Sequence, residues 1–200
     1  MKHNEMIALI DYAKTVNPEW ADVSTMASFP GARSGELYSM KWENVNWDNR
    51  LLVIRESYDW KTEKHQPTKG KKDRTVPINL DLLECFLGLM GKYGEYILPR
   101  IQDWKNGKAA QIIRQFQKAI KIRPTKFHGI RGTFITNLLL QGVPVIKVQA
   151  MVGHDDLKTT LRYVGMLAEE TKGATDVLTL KAVNNIVNLT DAEKRRIPVN

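Results

Sequence analysis

The sequence predicts an α+β fold, a mostly helical domain with a small antiparallel β-sheet near its N-terminal third. Apolar residues recur at helical spacing, as at Met6, Leu9, Ile10 and Ala13 and again at Ala109, Ile112, Ile113, Phe116 and Ile120. Between those stretches Leu51 to Glu56 (LLVIRE) is rich in β-formers, and Thr75 to Ile78 is a second strand-like run. Asn17-Pro18 and single glycines such as Gly142 and Gly153 stand where helices must stop. At 42% hydrophobic and 26% charged, 200 residues suffice for one domain with a real core and are too apolar for a disordered chain.

Taken in order, the first helix ends at Asn17-Pro18, and a second stripe (Trp20, Val23, Met26) runs until Phe29-Pro30-Gly31 breaks it. Ala32-Arg33-Ser34-Gly35-Glu36-Leu37 follows, leading into Met40 and Trp42. Taken alone, Arg33 and Glu36 read as an ordinary helix ion pair, worth about 0.3–0.5 kcal/mol. Residues 51–78 read as a small antiparallel sheet, with Ser57 to Gln66 a hairpin extension and His65 a surface residue on it. The turn Pro67-Thr68-Lys69-Gly70-Lys71-Lys72-Asp73 is strongly basic, which in most proteins marks a solvated loop. Asn79 or Asp81 caps a helix carrying Leu82, Leu83, Phe86, Leu87 and Met90, and Gly91 and Gly94 end it. Tyr96 to Pro99 is a short extended stretch. The helix lined by Ala109 to Ile120 bears Lys105, Lys108, Arg114, Lys118 and Lys121 on its other side, a face suited equally to solvent and to DNA. Near the C-terminus a helix is expected around Leu178 to Val187, followed by a polar tail from Asp191 to Asn200.

The chemistry concentrates between His128 and Tyr163. His128 and Arg131 are three apart and share one face of a helix. His154 follows twenty-three residues after Arg131, and Tyr163 nine after that. Helix stops at Gly142 and Gly153 and a fresh start at Asp155-Asp156 fold these four residues towards one another. Such a set suits a tyrosine attacking a phosphodiester whose charge is held by arginine and histidine. The net charge of +8 agrees with a polyanionic partner. No Gly-rich loop ending in Gly-Lys-Ser/Thr offers an NTP site, and four histidines and one cysteine lack metal-ligand spacing. The lone Cys85 leaves no internal disulfide and fits a reducing cytoplasm. No run approaches the roughly 20 apolar residues of a membrane span, and no signal-peptide core leads the chain.

This set resembles the tyrosine recombinases, the phage-integrase family, whose signature is His-x-x-Arg, then Gly-His, then a tyrosine nine residues on. An upstream arginine and a hairpin lysine complete it. The resemblance covers roughly residues 5–170 and implies the catalytic fold shared with type IB topoisomerases. It makes Tyr163 the nucleophile, with Arg33, Lys69, His128, Arg131 and His154 as the other catalytic residues and Glu36 as the acid supporting Arg33. Lys69 fits best because Lys69-Gly70 precedes Arg74-Thr75-Val76-Pro77; Lys71 and Lys72 are the alternatives. Lys71, Lys72 and Arg74 are otherwise expected to contact the DNA backbone. One departure stands out: Gly132 occupies the place where many members carry a second histidine.

The resemblance further implies double-stranded DNA as partner, a tetramer on recombining DNA and a monomer when free. It implies no cofactor, metal, ATP or membrane, a cytoplasmic, nucleoid-associated location, and an origin in a phage or mobile element. Residues 1–172 are expected to be the catalytic domain and 173–200 a C-terminal helix and polar tail, a candidate partner-binding arm. The N-terminal clamping domain of the family is expected to be missing from this chain. A type IB topoisomerase and an inactive DNA-binding regulator of the same fold are the competing readings.

Overall fold

In the computed structural model the described residues are 1–68, 70, 72–101, 104 and 108–165. The helix expected around Leu178 to Val187, the polar tail and the boundary at 172/173 lie outside them, as do Lys69, Lys71 and Lys105.

Helix α1 (His3–Val16) buries Met6, Leu9 and Ala13. Asn17 ends it and starts α2 (Pro18–Ser28): its side chain accepts from the Trp20 N–H at 3.2 Å, and Pro18 stands at the first helical turn, where a missing N–H is harmless. The short α3 (Ser34–Ser39) is buried along nearly its whole length. A 3-10 turn at Trp42–Asn44 leads into β1 (Val45–Asn46), a two-residue strand that the sequence pattern did not single out.

The 51–78 segment forms two small sheets. Strands β2 (Leu51–Ile54) and β5 (Arg74–Pro77) pair antiparallel, Leu52 opposite Val76 and Ile54 opposite Arg74, and β1 adds to the other edge of β2. Strands β3 (Glu56–Asp59) and β4 (Lys64–Pro67) form a separate hairpin. That hairpin lies on α3 through aromatic rings: Tyr38 is 4.8 Å from Tyr58 and 4.6 Å from Trp60, centroid to centroid. Arg100 sits 3.4 Å above the Tyr38 ring. His65 is exposed as expected, and its Nδ1 lies 3.0 Å from the Ser39 hydroxyl, tying the hairpin to the end of α3.

Asn79 caps α4 (Leu80–Leu89) by accepting from the Leu82 N–H at 2.9 Å. Leu82, Phe86 and Leu89 face inward, whereas Leu87 is 61% exposed and Met90 lies just past the helix end. Helix α5 (Lys108–Ala119) buries Ala109, Ile113 and Gln117. Helices α6 (His128–Leu140), α7 (Val145–Val152) and α8 (Leu157–Gly165) follow, separated at Gly142 and Gly153 as the sequence predicts. Most apolar side chains share one core of α1, α2, α4 and the three-stranded sheet. A second cluster of Ile135, Val148 and Val152 joins α6 to α7, with Tyr163 packed against it. No helix among the described residues is long and apolar enough to cross a membrane.

Candidate active site

The site is built around Glu36, a carboxylate that is only 1% exposed. Arg33 stands at the N-cap of α3; its backbone N–H donates to Glu36 Oε2 at 2.7 Å and its Nη1 to Oε1 at 2.8 Å. Arg74 closes on the same carboxylate from β5, donating from Nη1 to Oε1 at 3.1 Å and from Nη2 to Oε2 at 2.6 Å. Arg131 of α6 is the third, with Nη1 4.0 Å from Oε2. Burial alone would raise the Glu36 pKa; the hydrogen bonds and charge of Arg74, with those of Arg33, outweigh it and hold the group at about 2.

The same three arginines meet the C-terminal end of α7. Arg74 Nε donates to the Met151 carbonyl at 2.9 Å, Arg131 Nη2 to Val152 at 2.6 Å and Arg33 Nη2 to Gly153 at 3.2 Å. Three successive carbonyls at a helix end therefore each take a guanidinium from a different segment of the chain. Carbonyls there have no intrahelical donor, and the helix dipole adds about half a negative charge at that end. Gly153 makes the approach possible: it caps α7 at φ 67°, and a Cβ on it would lie 2.9 Å from Arg74 Cδ. Three guanidinium charges against one carboxylate and a helix end leave more than one unit of positive charge.

The remaining candidates surround this cluster. Arg131 is 1% exposed and also donates from Nη1 to the Gly31 carbonyl at 2.7 Å. Burial, with Arg33 alongside, pulls its pKa down to about 9, so it stays charged at neutral pH. His128, the first residue of α6, is exposed overall, and partial burial of its ring together with Arg131 and Arg33 lowers its pKa. Burial and the same two arginines push His154 down to about 4. Both imidazoles are therefore neutral at pH 7. His154 Nδ1 lies 2.9 Å from the hydroxyl of Thr160, which is fully buried. Its ring is nearly parallel to that of Tyr163, 15° between planes and 6.4 Å between centroids.

Lys69 and Lys71 lie outside the described residues. Their neighbours show that the β4–β5 loop is pinned at its neck, where the buried Thr68 hydroxyl donates to the Lys72 carbonyl at 2.9 Å. Its Gly70 comes up against the Asp155 carboxylate, one residue beyond His154. Lys72 itself is exposed.

Arg74, expected to contact the DNA backbone, has a side chain that is 7% exposed and donates to Glu36 and Met151. Strand alternation is the reason: in β5, Arg74 and Val76 point inward and Thr75 and Pro77 outward. That alternation was readable in the sequence. The carbonyls of α7 and the Thr160 hydroxyl carried no such signal.

A mostly helical domain with a small antiparallel sheet, gathering arginines, histidines and a tyrosine around one buried carboxylate and one helix end, has the build of a tyrosine recombinase catalytic domain. The chain belongs to the phage integrase family, which its sequence matches over residues 1–170. It is 30% identical over 154 residues to the tyrosine recombinase XerA of Thermococcus kodakarensis, covering 72% of this chain and 50% of that protein. It is 28% identical to XerD of Rhizobium meliloti, covering 70% and 44%. The chain thus spans about half the length of the curated relatives it matches. In fold it is similar to the crystal structure of XerA recombinase (TM-score 0.70, 19% identity, 91% of this chain and 65% of that one). It is also similar to lambda integrase residues 75–356 bound to DNA (TM-score 0.61, 17% identity, 78% and 57%).

Proposed function

We propose that this domain cuts and rejoins DNA as the catalytic part of a site-specific recombinase, with Tyr163 as its nucleophile. The observation that carries the reading is the convergence of three arginines on Glu36 and the end of α7, beside two neutral imidazoles and one phenol. Arg33 and Arg131 use two of their five N–H groups each on Glu36 and backbone carbonyls; Arg33, its side chain 29% exposed, keeps donors open to the non-bridging oxygens of a phosphate, and Arg131 adds its charge from a buried position. A neutral imidazole can donate from one nitrogen and accept at the other, which suits His128 and His154 to hydrogen-bonding the same phosphate.

Attack by the Tyr163 oxygen on phosphorus, its phenolic proton passing to water or to a neutral imidazole beside it, forms a 3′-phosphotyrosyl bond and breaks the bond to the 5′ oxygen, which leaves as a hydroxyl once protonated. Lys69 is the acid for that step. The reverse attack by a 5′-hydroxyl, from the same or another duplex, restores the phosphodiester and frees the tyrosine. The phosphoester is kept throughout, so neither ATP nor metal enters the balance. A nicked suicide duplex, which loses its 5′-hydroxyl fragment after cleavage, should trap a covalent protein–DNA adduct on a denaturing gel; its absence would overturn the reading.

Lys69→Ala should slow cleavage severely, by about a hundredfold or more. A 5′-bridging sulfur leaves without a proton and should restore most of the rate. If Lys72→Ala is rescued in this way and Lys69→Ala is not, the acid is Lys72.

Between Trp104 and His154 the chain carries nine lysines and arginines and no acidic residue. Lys118, Lys121, Arg123 and Lys126 of this run are exposed, on the end of α5 and the connection leading to His128. Such a face suits phosphates on either side of the scissile one. Every phosphate that the protein ceases to neutralise should flatten the plot of log K against log salt by about 0.9. Replacing Lys121, Arg123 and Lys126 with alanine should therefore weaken duplex binding and reduce the slope by about 2–3. Fluorescence titration at several salt concentrations measures both, and an unchanged slope would remove this face from the interface.

A further inference from the structure

Gly132 is inside α6, directly after Arg131, where glycine weakens a helix relative to alanine. Its neighbour across the gap to α8 is Tyr163: a Cβ built on Gly132 would lie 3.3 Å from Tyr163 Cε1 and 3.8 Å from its hydroxyl oxygen. That is tighter than most Cβ packing in proteins, so the ring would have to move. Tyr163 is half-buried. It touches the small α6–α7 cluster on one side and lies parallel to His154 on another. The hydroxyl is thus set by three surfaces, and one of them is the bare backbone of Gly132.

We infer that Gly132 is the seat of the nucleophile, a positioning residue whose missing side chain lets the Tyr163 ring lie against α6 beside Arg131 and His154. The inference rests on the reading of Tyr163 as nucleophile. In this chain the residue after the catalytic arginine gives up a side chain, and helix stability with it, to admit the ring of the same polypeptide.

Gly88 supplies the matched control. It also lies within a helix, α4, and a Cβ there would meet nothing within 4 Å. Gly88→Ala should raise Tm by about 2–4 °C and leave cleavage untouched. Gly132→Ala should keep the affinity for a nicked duplex but slow single-turnover adduct formation at saturating DNA by about tenfold, because small misplacements of a reacting atom are amplified in rate. A 5′-bridging sulfur substrate should not rescue it, since attack and not leaving-group protonation is impaired. Wild-type cleavage by Gly132→Ala, or its rescue by sulfur, would overturn the inference.

A stability cycle tests the juxtaposition independently of cleavage. With the ring removed in Tyr163→Ala, adding Gly132→Ala should raise Tm as Gly88→Ala does; with the ring present, it should raise Tm less. Equal increments in the two backgrounds would show that ring and Cβ do not meet. If the wild-type protein forms no adduct, or Tyr163→Phe still does, the nucleophile assignment fails while the cycle continues to report on the seat.

Discussion

Tyr163→Phe is expected to bind duplex DNA as the wild type does and to form no covalent adduct at all. A phenol has a pKa of about 10 and attacks poorly on its own; what distinguishes Tyr163 is its surroundings. It stands beside a neutral His154 and close enough to Arg131 for the two to interact electrostatically. Tyr58 and Tyr96 also neighbour an imidazole and a guanidinium, His65 and Arg100, but not the cluster of three arginines on Glu36 and the end of α7. Tyr58 packs among Tyr38, Trp60 and His65 on the hairpin, and Tyr96 lies under Arg100 at 4.1 Å. Removing one oxygen leaves the packing of the ring against the α6–α7 cluster intact, so folding and affinity should be unchanged. Denaturing gels with a nicked duplex, followed by peptide mapping, give the answer. An adduct at wild-type yield on Tyr58 or Tyr96 would displace the assignment.

Glu36→Ala is expected to destabilise the protein by about 3–5 kcal/mol, the range for breaking a buried ion pair. Arg74 and Arg131 would remain buried with no opposing charge. For a domain of this size such a loss lowers Tm by roughly 10 °C or more. The pH dependence follows with a definite sign. Glu36 is held at about 2 against an ordinary 4.5, so its contribution is fully present above 4.5 and is lost as the pH falls from 4.5 towards 2. His154 is depressed from 6.5 to about 4, so between those values the unfolded chain binds the extra proton and stability already declines as pH falls. Wild-type melting curves should fall in two stages, and Glu36→Ala should lack the lower one. A variant melting within a few degrees of the wild type at pH 7 would show that the three arginines do not depend on this carboxylate.

Much of the fold could be read from local chemistry. Asn17-Pro18 both ends one helix and begins the next, and Gly142 and Gly153 separate the last three helices, because the constraints at those positions lie within a few residues. The spacing from His128 to Tyr163 also worked locally, since short helices with fixed stops leave little choice about which side chains converge. Long-range pairing escaped. The two-residue β1 carries too few residues for a periodic signal, and the division of 51–78 into two sheets depends on how the hairpin packs against α3. Leu87 reads as a core residue by type, yet the face of α4 that bears it has no neighbour among the described residues that covers it. A run of basic residues such as 69–74 suggests a common solvent-facing fate, while strand alternation sends its last member, Arg74, inward. Its partners, a carboxylate 38 residues away and a backbone carbonyl 77 away, leave no trace in composition.

The end of α7 has a consequence for the order in which the molecule assembles. Arg33 reaches Gly153 across 120 positions and Arg74 reaches Met151 across 77, while Arg131 reaches Val152 across 21. Contacts of such high sequence separation form late, after nearby helices and hairpins have already condensed. During synthesis the first two arginines leave the ribosome well before the carbonyls that orient them, and the tyrosine leaves after both. A chain that ends before α7 therefore holds most of the charged residues but not the carbonyls that orient them. The arrangement of Arg33, Arg74 and Arg131 on the end of α7, with Tyr163 beside it, exists only once α7 and α8 have docked.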